Sequence, residues 1–154
     1  QNFIMMRYAE VLLNYAEAIN ETEDTPSARF SAVDALNQIR RRAGITTDLE
    51  AEKFTQSTLR ERIRKERRVE LCFEEHRFFD IRRWRIAEDV CNEYIQGYDV
   101  TKGKDGGFYT IVNVGDRMVF EKKHYLFPLA TAEILMNPAL EQNPGWPKLS
   151  TATN

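Results

Sequence analysis

Residues 4–21 read IMMRYAEVLLNYAEAINE, and this stretch decides the fold. Ile4, Tyr8, Val11, Leu12, Tyr15 and Ile19 recur at helical spacing and form one apolar stripe. Met6, Ala9 and Leu13 add a second apolar patch beside it. A helix this broadly apolar is expected to pack between neighbours, as in a helical array. Toward the C-terminus, Thr25-Pro26 offers an N-cap and a proline at the first helical position of a second helix. That helix is predicted to end at Ala43, with Gly44 just beyond it. The connection is short, so the two helices form an antiparallel hairpin of tetratricopeptide-like size.

Thr58 and Glu61 form a capping-box pair that predicts a third helix running to about Arg77, with a shorter one over Phe79–Asp89. Residues 1–86 thus read as helical and 87–154 as loop-rich. Gly97, Gly103, Gly106 and Gly107 punctuate a loop. Phe108–Val114 and Met118–His124 read as two strands joined around Gly115-Asp116. Thr131 is expected to cap a short helical turn, Ala132–Met136, that stops before Pro138. The expected fold class is mainly α: a tetratricopeptide-like hairpin, further helices, and a loop-rich C-terminal part with a short β-hairpin.

The 154 residues carry a net charge of −2, which gives no global signal for nucleic acid or an anionic membrane. Residues 60–85 hold ten Lys/Arg against six Asp/Glu, but the signs interleave along the helix, as in Glu61–Lys65 and Arg62–Glu66. A solvated, ion-paired surface is the expectation there, not a nucleic-acid face. No apolar run reaches the roughly 18 residues a membrane helix needs. The chain opens on Gln1 without a targeting segment, and it is expected to be a piece of a longer protein. Cys72, between Leu71 and Phe73, reads as a buried thiol; a disulfide with Cys91 is left open.

The charge pattern of the third helix is its most informative feature. Leu59, Ile63, Glu66, Glu70, Phe73 and Arg77 share one face, which puts two carboxylates inside an apolar stripe. A buried carboxylate must be paired, and Arg40, on the face of Leu36 and Ile39, is the candidate partner. One reading is a structural network of Arg40, Glu66 and Glu70. The other is a pair of glycosidase carboxylates, which would have to flank a cleft. Two residues one turn apart point the same way, so the structural reading is preferred. His76 and His124 stand in no metal-ligand spacing, and no nucleophile elbow, phosphate loop or dinucleotide fingerprint occurs. No metal, cofactor or catalytic residue is expected.

Taken in order, the motifs resemble a known family. Arg7-Tyr8-Ala9-Glu10-Val11-Leu12-Leu13 through Ala16-Glu17-Ala18 is similar to the R-Y-A-E-x-L-L-x-x-A-E-A helix of the SusD/RagB family. Asn37 to Gly44 resembles its N-x-x-R-x-R-A-G helix end. Glu66-Arg67-Arg68-Val69-Glu70-Leu71-Cys72-Phe73-Glu74, then His76-Arg77 to Trp84, looks like its E-R-R-x-E-L-x-x-E-G-x-R-x-x-D-L-x-R-W block. His124 to Pro128 and Gln142-Asn143-Pro144-Gly145-Trp146 resemble its closing segments. Glu75 departs from the family's glycine, which puts a helix break there in doubt, and Leu129-Ala130 replaces its Ile-Pro, which would loosen that turn. The resemblance implies the C-terminal part of a lipid-anchored protein on the outer face of the outer membrane. It implies glycan capture and delivery to a TonB-dependent, SusC-like transporter, with membrane attachment only through an N-terminal lipid anchor outside this chain. Sugar contacts require exposed aromatic faces with polar groups around them. Here Tyr94, Tyr98, Phe108 and Tyr109 are the candidates. A helical-repeat scaffold that binds protein and a glycosidase using Glu66 and Glu70 are the alternative functions.

Overall fold

The computed structural model describes residues 6–100, 110–116, 118–137 and 139–148. The chain divides into two compact units, residues 1–79 and 80–154.

The first unit is built on three helices, α1 (Tyr8–Thr22), α2 (Pro26–Arg42) and α3 (Gln56–Glu70). α2 begins and ends where its sequence says it should. The Thr25 side chain accepts from the Ala28 N–H, with Pro26 behind it. At the other end Ile45 N–H reaches Arg40 C=O and Gly44 N–H reaches Arg41 C=O, both at 3.0 Å, a Schellman closure. That closure needs Gly44 at φ +83°. α1 starts later than expected, because Arg7 is its extended N-cap; Ile4 lies outside the described residues.

The packed face of α1 also differs from expectation. Ala9, Leu13 and Ala16, the line extending the second patch, enter the core against Ala32, Val33, Leu36 and Ile39 of α2 and Leu59 and Ile63 of α3. The stripe read from Tyr8 to Ile19 is divided: Tyr8, Val11 and Tyr15 are exposed, while Leu12 and Ile19 are partly buried against the core. Alanines on both helices bring the backbones close, and this selects the Ala9–Leu13–Ala16 line over the bulkier one. Side-chain amides secure the ends. Gln56 Nε2 donates to Asn20 C=O at 2.8 Å and Asn20 Nδ2 to Gln56 C=O at 3.1 Å. Buried Asn37 grips Leu49 like a strand partner, accepting its N–H at 2.8 Å and donating to its C=O at 3.0 Å.

α3 starts about one turn earlier and ends about two turns earlier than expected. Its cap is Thr55, which exchanges hydrogen bonds with Thr58 at N3; Thr58 is not itself the cap. It stops at Glu70 instead of Arg77, in a turn where Phe73 (φ 65°) and Glu75 (φ 64°) are both left-handed. The chain therefore breaks at Glu75 without a glycine. This turn lifts Phe73 and Cys72 out of the interior, so Cys72 is an exposed thiol, and both cysteines are free.

α4 (His76–Arg83), whose first four residues belong to the first unit, and α5 (Ala87–Cys91), in the second, replace the single helix expected over Phe79–Asp89. Arg85, at φ 57°, turns the chain between them. Ile81, Ala87 and Phe120 form a small core with Tyr125 packed on it. β1 (Gln96–Asp99) and β2 (Thr110–Asn113) are antiparallel, with Tyr98 opposite Ile111. The expected hairpin across Gly115-Asp116 is not formed. Asn92 takes both backbone groups of Phe120 instead, accepting its N–H at 2.7 Å and donating to its C=O at 2.9 Å. Lys122–Tyr125 is a 3-10 turn, and α6 (Thr131–Met136) follows. Thr131 is the first residue of α6; Ala130 holds the cap position without a side-chain bond. Pro138, Phe108 and Tyr109 lie outside the described residues.

Candidate functional site

The two carboxylates of α3 receive different arginines. Arg40 Nη1 lies 2.9 Å from Glu66 Oε1, and its Nη2 donates to Thr47 C=O at 3.1 Å. Arg62, one turn back on α3, also bonds Glu66. Glu70 is held from elsewhere: Arg7 Nη1 at 2.5 Å and Arg42 Nη2 at 2.8 Å. Arg7 continues into the turn, where its Nε and Nη2 reach Glu74 at 2.8 and 2.7 Å and its Nη2 bonds the Glu70 carbonyl. One guanidinium therefore fastens the start of α1 to the end of α3 and to the left-handed turn beyond it. The hydrogen bond to Glu74, with Glu70 adding to it, holds the Arg7 cation above its ordinary range. The same bond draws Glu74 below the usual carboxylate range. Glu66 and Glu70 thus face guanidinium groups, not one another across a cleft.

Sequence reasoning missed Arg67. It continues the Leu59–Ile63 line and is buried at 5% exposure. Its Nη1 donates to Asn14 Oδ1 at 2.7 Å, and Nη2 lies 3.4 Å from His76 Nδ1. His76 Nε2 is 3.7 Å from Oε2 of Glu10, itself buried on α1. The four-residue spacing Leu59, Ile63, Arg67 was the available signal.

In the second unit, Tyr94 (55% exposed) and Tyr98 (69% exposed) stand before and on β1. The strand pairing puts Tyr98 beside exposed Ile111 on one sheet face. Gly97 permits this pairing, because a Cβ there would meet Val114 at 2.5 Å. An exposed phenol ring offers flat apolar surface with a hydroxyl at the edge, the type of surface that packs on a sugar ring.

The closing segment folds back on the stretch before α6. Gln142 accepts the Leu129 N–H at 2.8 Å and donates to its C=O at 3.0 Å, which fixes the turn that Leu129-Ala130 was expected to loosen. Asn143 Nδ2 reaches Phe127 C=O at 2.7 Å, and Trp146 Nε1 reaches the carbonyls of Lys123 (3.1 Å) and Leu126 (3.0 Å). Gly145 sits at φ +85°, where a Cβ would lie 2.8 Å from Lys123 Cβ. Gln142, Asn143, Gly145 and Trp146 of the Gln-Asn-Pro-Gly-Trp sequence thus each fasten the closing segment.

Among the described residues no helix is long and apolar enough to cross a membrane, and no cluster of His, Cys, Asp and Glu could hold a metal ion. Comparison with known proteins returns one family. The SusD family pattern matches residues 1–146. The chain is 33% identical to SusD-like protein P2 of Formosa agariphila, over 94% of this chain and 26% of that protein. It is 38% identical to SusD-like protein P25 of the same organism, over 60% of this chain and 17% of that protein. The crystal structure of a SusD-like protein from Bacteroides fragilis superposes with a TM-score of 0.79 at 36% identity, covering 94% of this chain and 26% of that one. A SusD superfamily protein from Parabacteroides distasonis gives 0.57 at 29% identity, over 91% of this chain and 26% of that one. The chain spans about a quarter of the length of SusD-like protein P2 and of the two solved structures. On the match to residues 1–146 and these likenesses, the chain belongs to the SusD family.

Proposed function

We propose that this chain is the C-terminal part of a glycan-capturing protein on the outer face of a bacterial outer membrane, anchored by lipid and serving a TonB-dependent, SusC-like transporter. The observation that carries the reading is the family match across residues 1–146. In this reading no bond of the glycan is broken. Glu66 and Glu70, the residues a glycosidase would have needed, act with Arg40, Arg7 and Arg42 to fix how three helices dock. The mechanism is capture and transfer: aromatic faces bury the apolar side of a sugar, and weak, repeated contacts let it leave again. Tyr94 and Tyr98 are the surface this chain contributes.

The test is native electrophoresis of the protein, purified as its gene encodes it, through gels cast with a panel of polysaccharides. Retardation by at least one glycan is expected, and the Tyr94→Ala/Tyr98→Ala variant should move faster than the parent in that gel. No retardation by any glycan would overturn the capture reading. Retardation unchanged in the double variant would remove the two tyrosines from the site. Release of new reducing ends, lost in Glu70→Gln, would turn the assignment to hydrolysis.

A further inference from the structure

The second unit carries a cation stacked on a ring, with no anion to answer it. Arg85 turns the chain between α4 and α5 at φ 57°. Two backbone bonds fix its place: Arg85 N–H to Arg82 C=O at 3.1 Å and Ile86 N–H to Ile81 C=O at 3.0 Å. Its guanidinium lies over the Tyr125 ring, 4.6 Å from the centroid. Tyr125 in turn meets Phe120 edge-on at 5.0 Å, and Arg82 lies over Phe120 at 5.2 Å. A guanidinium laid on an aromatic face is held by cation–π attraction, while the N–H groups in its plane stay available at the edge. Lys122 stands three residues before Tyr125 in the same 3-10 turn, a spacing at which side chains eclipse, so the two share a side. Arg85 and Lys122 are both exposed. Among the described residues no carboxylate pairs with either, Glu88 and Asp89 of α5 included. The acids of the adjoining elements are engaged elsewhere, Asp80 with Arg83 at 2.9 Å and Glu121 with Lys123 at 2.8 Å. The Tyr125 hydroxyl is buried without a partner, whereas a buried hydroxyl ordinarily has one.

We propose that Arg85 and Lys122, beside Tyr125, form a site for the acidic group of a sugar, a carboxylate or a sulfate ester, so that the captured glycan is an anionic one. The inference rests on the glycan reading above and adds the class of glycan. Paired guanidinium N–H groups match two oxygens of either acid, and the lysine adds a point charge. Two cations are too few for a lipid surface, which takes a cluster of about four to eight. They also form no basic stripe along which a nucleic acid could run. A sugar fits, because the same unit exposes Tyr94 and Tyr98 for the apolar side of a ring. Asn92, two residues before Tyr94, ties that segment to the cluster through both backbone groups of Phe120.

The test is native electrophoresis of the protein, purified as its gene encodes it, through four kinds of gel. These hold carboxylated polysaccharides (polygalacturonate, alginate), sulfated ones (carrageenan, chondroitin sulfate), neutral ones (dextran, galactomannan) or polyglutamate. Retardation is expected from the carboxylated or the sulfated set, which identifies the acid, and not from the neutral set or polyglutamate. In that gel Arg85→Gln/Lys122→Gln should bind at least about tenfold more weakly, the loss of a charge-assisted hydrogen bond or more. Lys65→Gln/Arg68→Gln, an equal loss of charge from exposed positions of α3, should match the parent. Should the first double variant fail to fold, Lys122→Gln alone, at an exposed position, should weaken binding in the same direction. Retardation by neutral polysaccharides only would overturn the acidic class and leave capture standing. Equal retardation of the parent and Arg85→Gln/Lys122→Gln by an acidic polysaccharide would overturn the site. Retardation by polyglutamate as strong as by the polysaccharide would overturn the assignment to a sugar. No retardation in any gel would overturn the proposal together with the capture reading.

Discussion

Replacing Asn37 by Asp changes one atom's chemistry and almost nothing of its shape. Asn37 is 3% exposed and bonds both backbone groups of Leu49, at 2.8 and 3.0 Å. An aspartate keeps the acceptor for the Leu49 N–H but turns an oxygen toward the Leu49 carbonyl, where a donor had been. Leaving that carbonyl unsatisfied and placing a charge in the interior should together cost about 2–4 kcal/mol at neutral pH. The carboxyl can escape by keeping its proton, because its O–H then donates to the carbonyl as the amide did. Its folded-state pKa is therefore raised above the unfolded value of about 3.9. A raised pKa means that the folded state binds more protons, so the variant's stability is restored below the unfolded pKa and lost as pH rises through the folded one. Urea unfolding followed by far-ultraviolet circular dichroism, for wild type and Asn37→Asp across a pH series, measures this. The difference between the two proteins should shrink steadily as the pH is lowered, while Asn37→Leu, which has no proton to gain, stays equally impaired throughout. An Asn37→Asp variant as stable as wild type at neutral pH, or one whose deficit ignores pH, would refute the account.

Two glycines at similar φ should respond differently to alanine. Gly44→Ala meets nothing within 4 Å and should cost only the left-handed strain, about 1–2 kcal/mol, read from the urea midpoint. Gly145→Ala adds a contact at 2.8 Å with Lys123 Cβ, so its loss should exceed that of Gly44→Ala by about 1 kcal/mol or more. Arg7→Leu should destabilise the protein by about 1–2 kcal/mol at neutral pH, since Glu74 is part-exposed and Glu70 keeps Arg42. In wild type, Glu74 is held low by Arg7 and Glu21 by Arg60, so their contributions are present above the unfolded value of about 4.3 and lost as pH falls through the lowered ones. Acid titration of Arg7→Leu should accordingly show a shallower loss of stability than wild type, and an unchanged slope would contradict it.

The elements most legible in the sequence were those fixed by local chemistry. Thr25-Pro26 and Gly44 bound α2 because a cap, a proline and a left-handed glycine each act within one turn. The misplaced start of α3 came from two overlapping Thr patterns. Glu61 made Thr58 the stronger cap on paper, but Thr58 is spent as the partner of Thr55. The face of α1 could not be chosen from periodicity, because both sides are apolar and close alanine packing against α2 settled it. The turn at 71–75 has neither glycine nor proline to announce it; Arg7, far away in sequence, bonds both Glu70 and Glu74 around it. β1 was missed because the sequence offers a turn at Gly115-Asp116, whereas Asn92 satisfies Phe120 and leaves Thr110–Asn113 to pair with Gln96–Asp99. Of the site residues named from the sequence, Arg40 meets Glu66 but not Glu70, Glu70 belongs to Arg7 and Arg42, and Tyr94 and Tyr98 stand exposed, before and on β1.

The chain's two tryptophans, Trp84 and Trp146, both belong to the unit formed by residues 80–154. The indole N–H of Trp146 is tied to two backbone carbonyls, and Arg83 lies over the Trp84 ring at 4.7 Å. Selectively excited tryptophan fluorescence is therefore an optical probe of that half alone, while the three long helices of residues 1–79 dominate the dichroism. Melting followed in both signals at once becomes a label-free assay of cooperativity: coincident curves would mark a single unfolding block, and separated curves two that melt in turn.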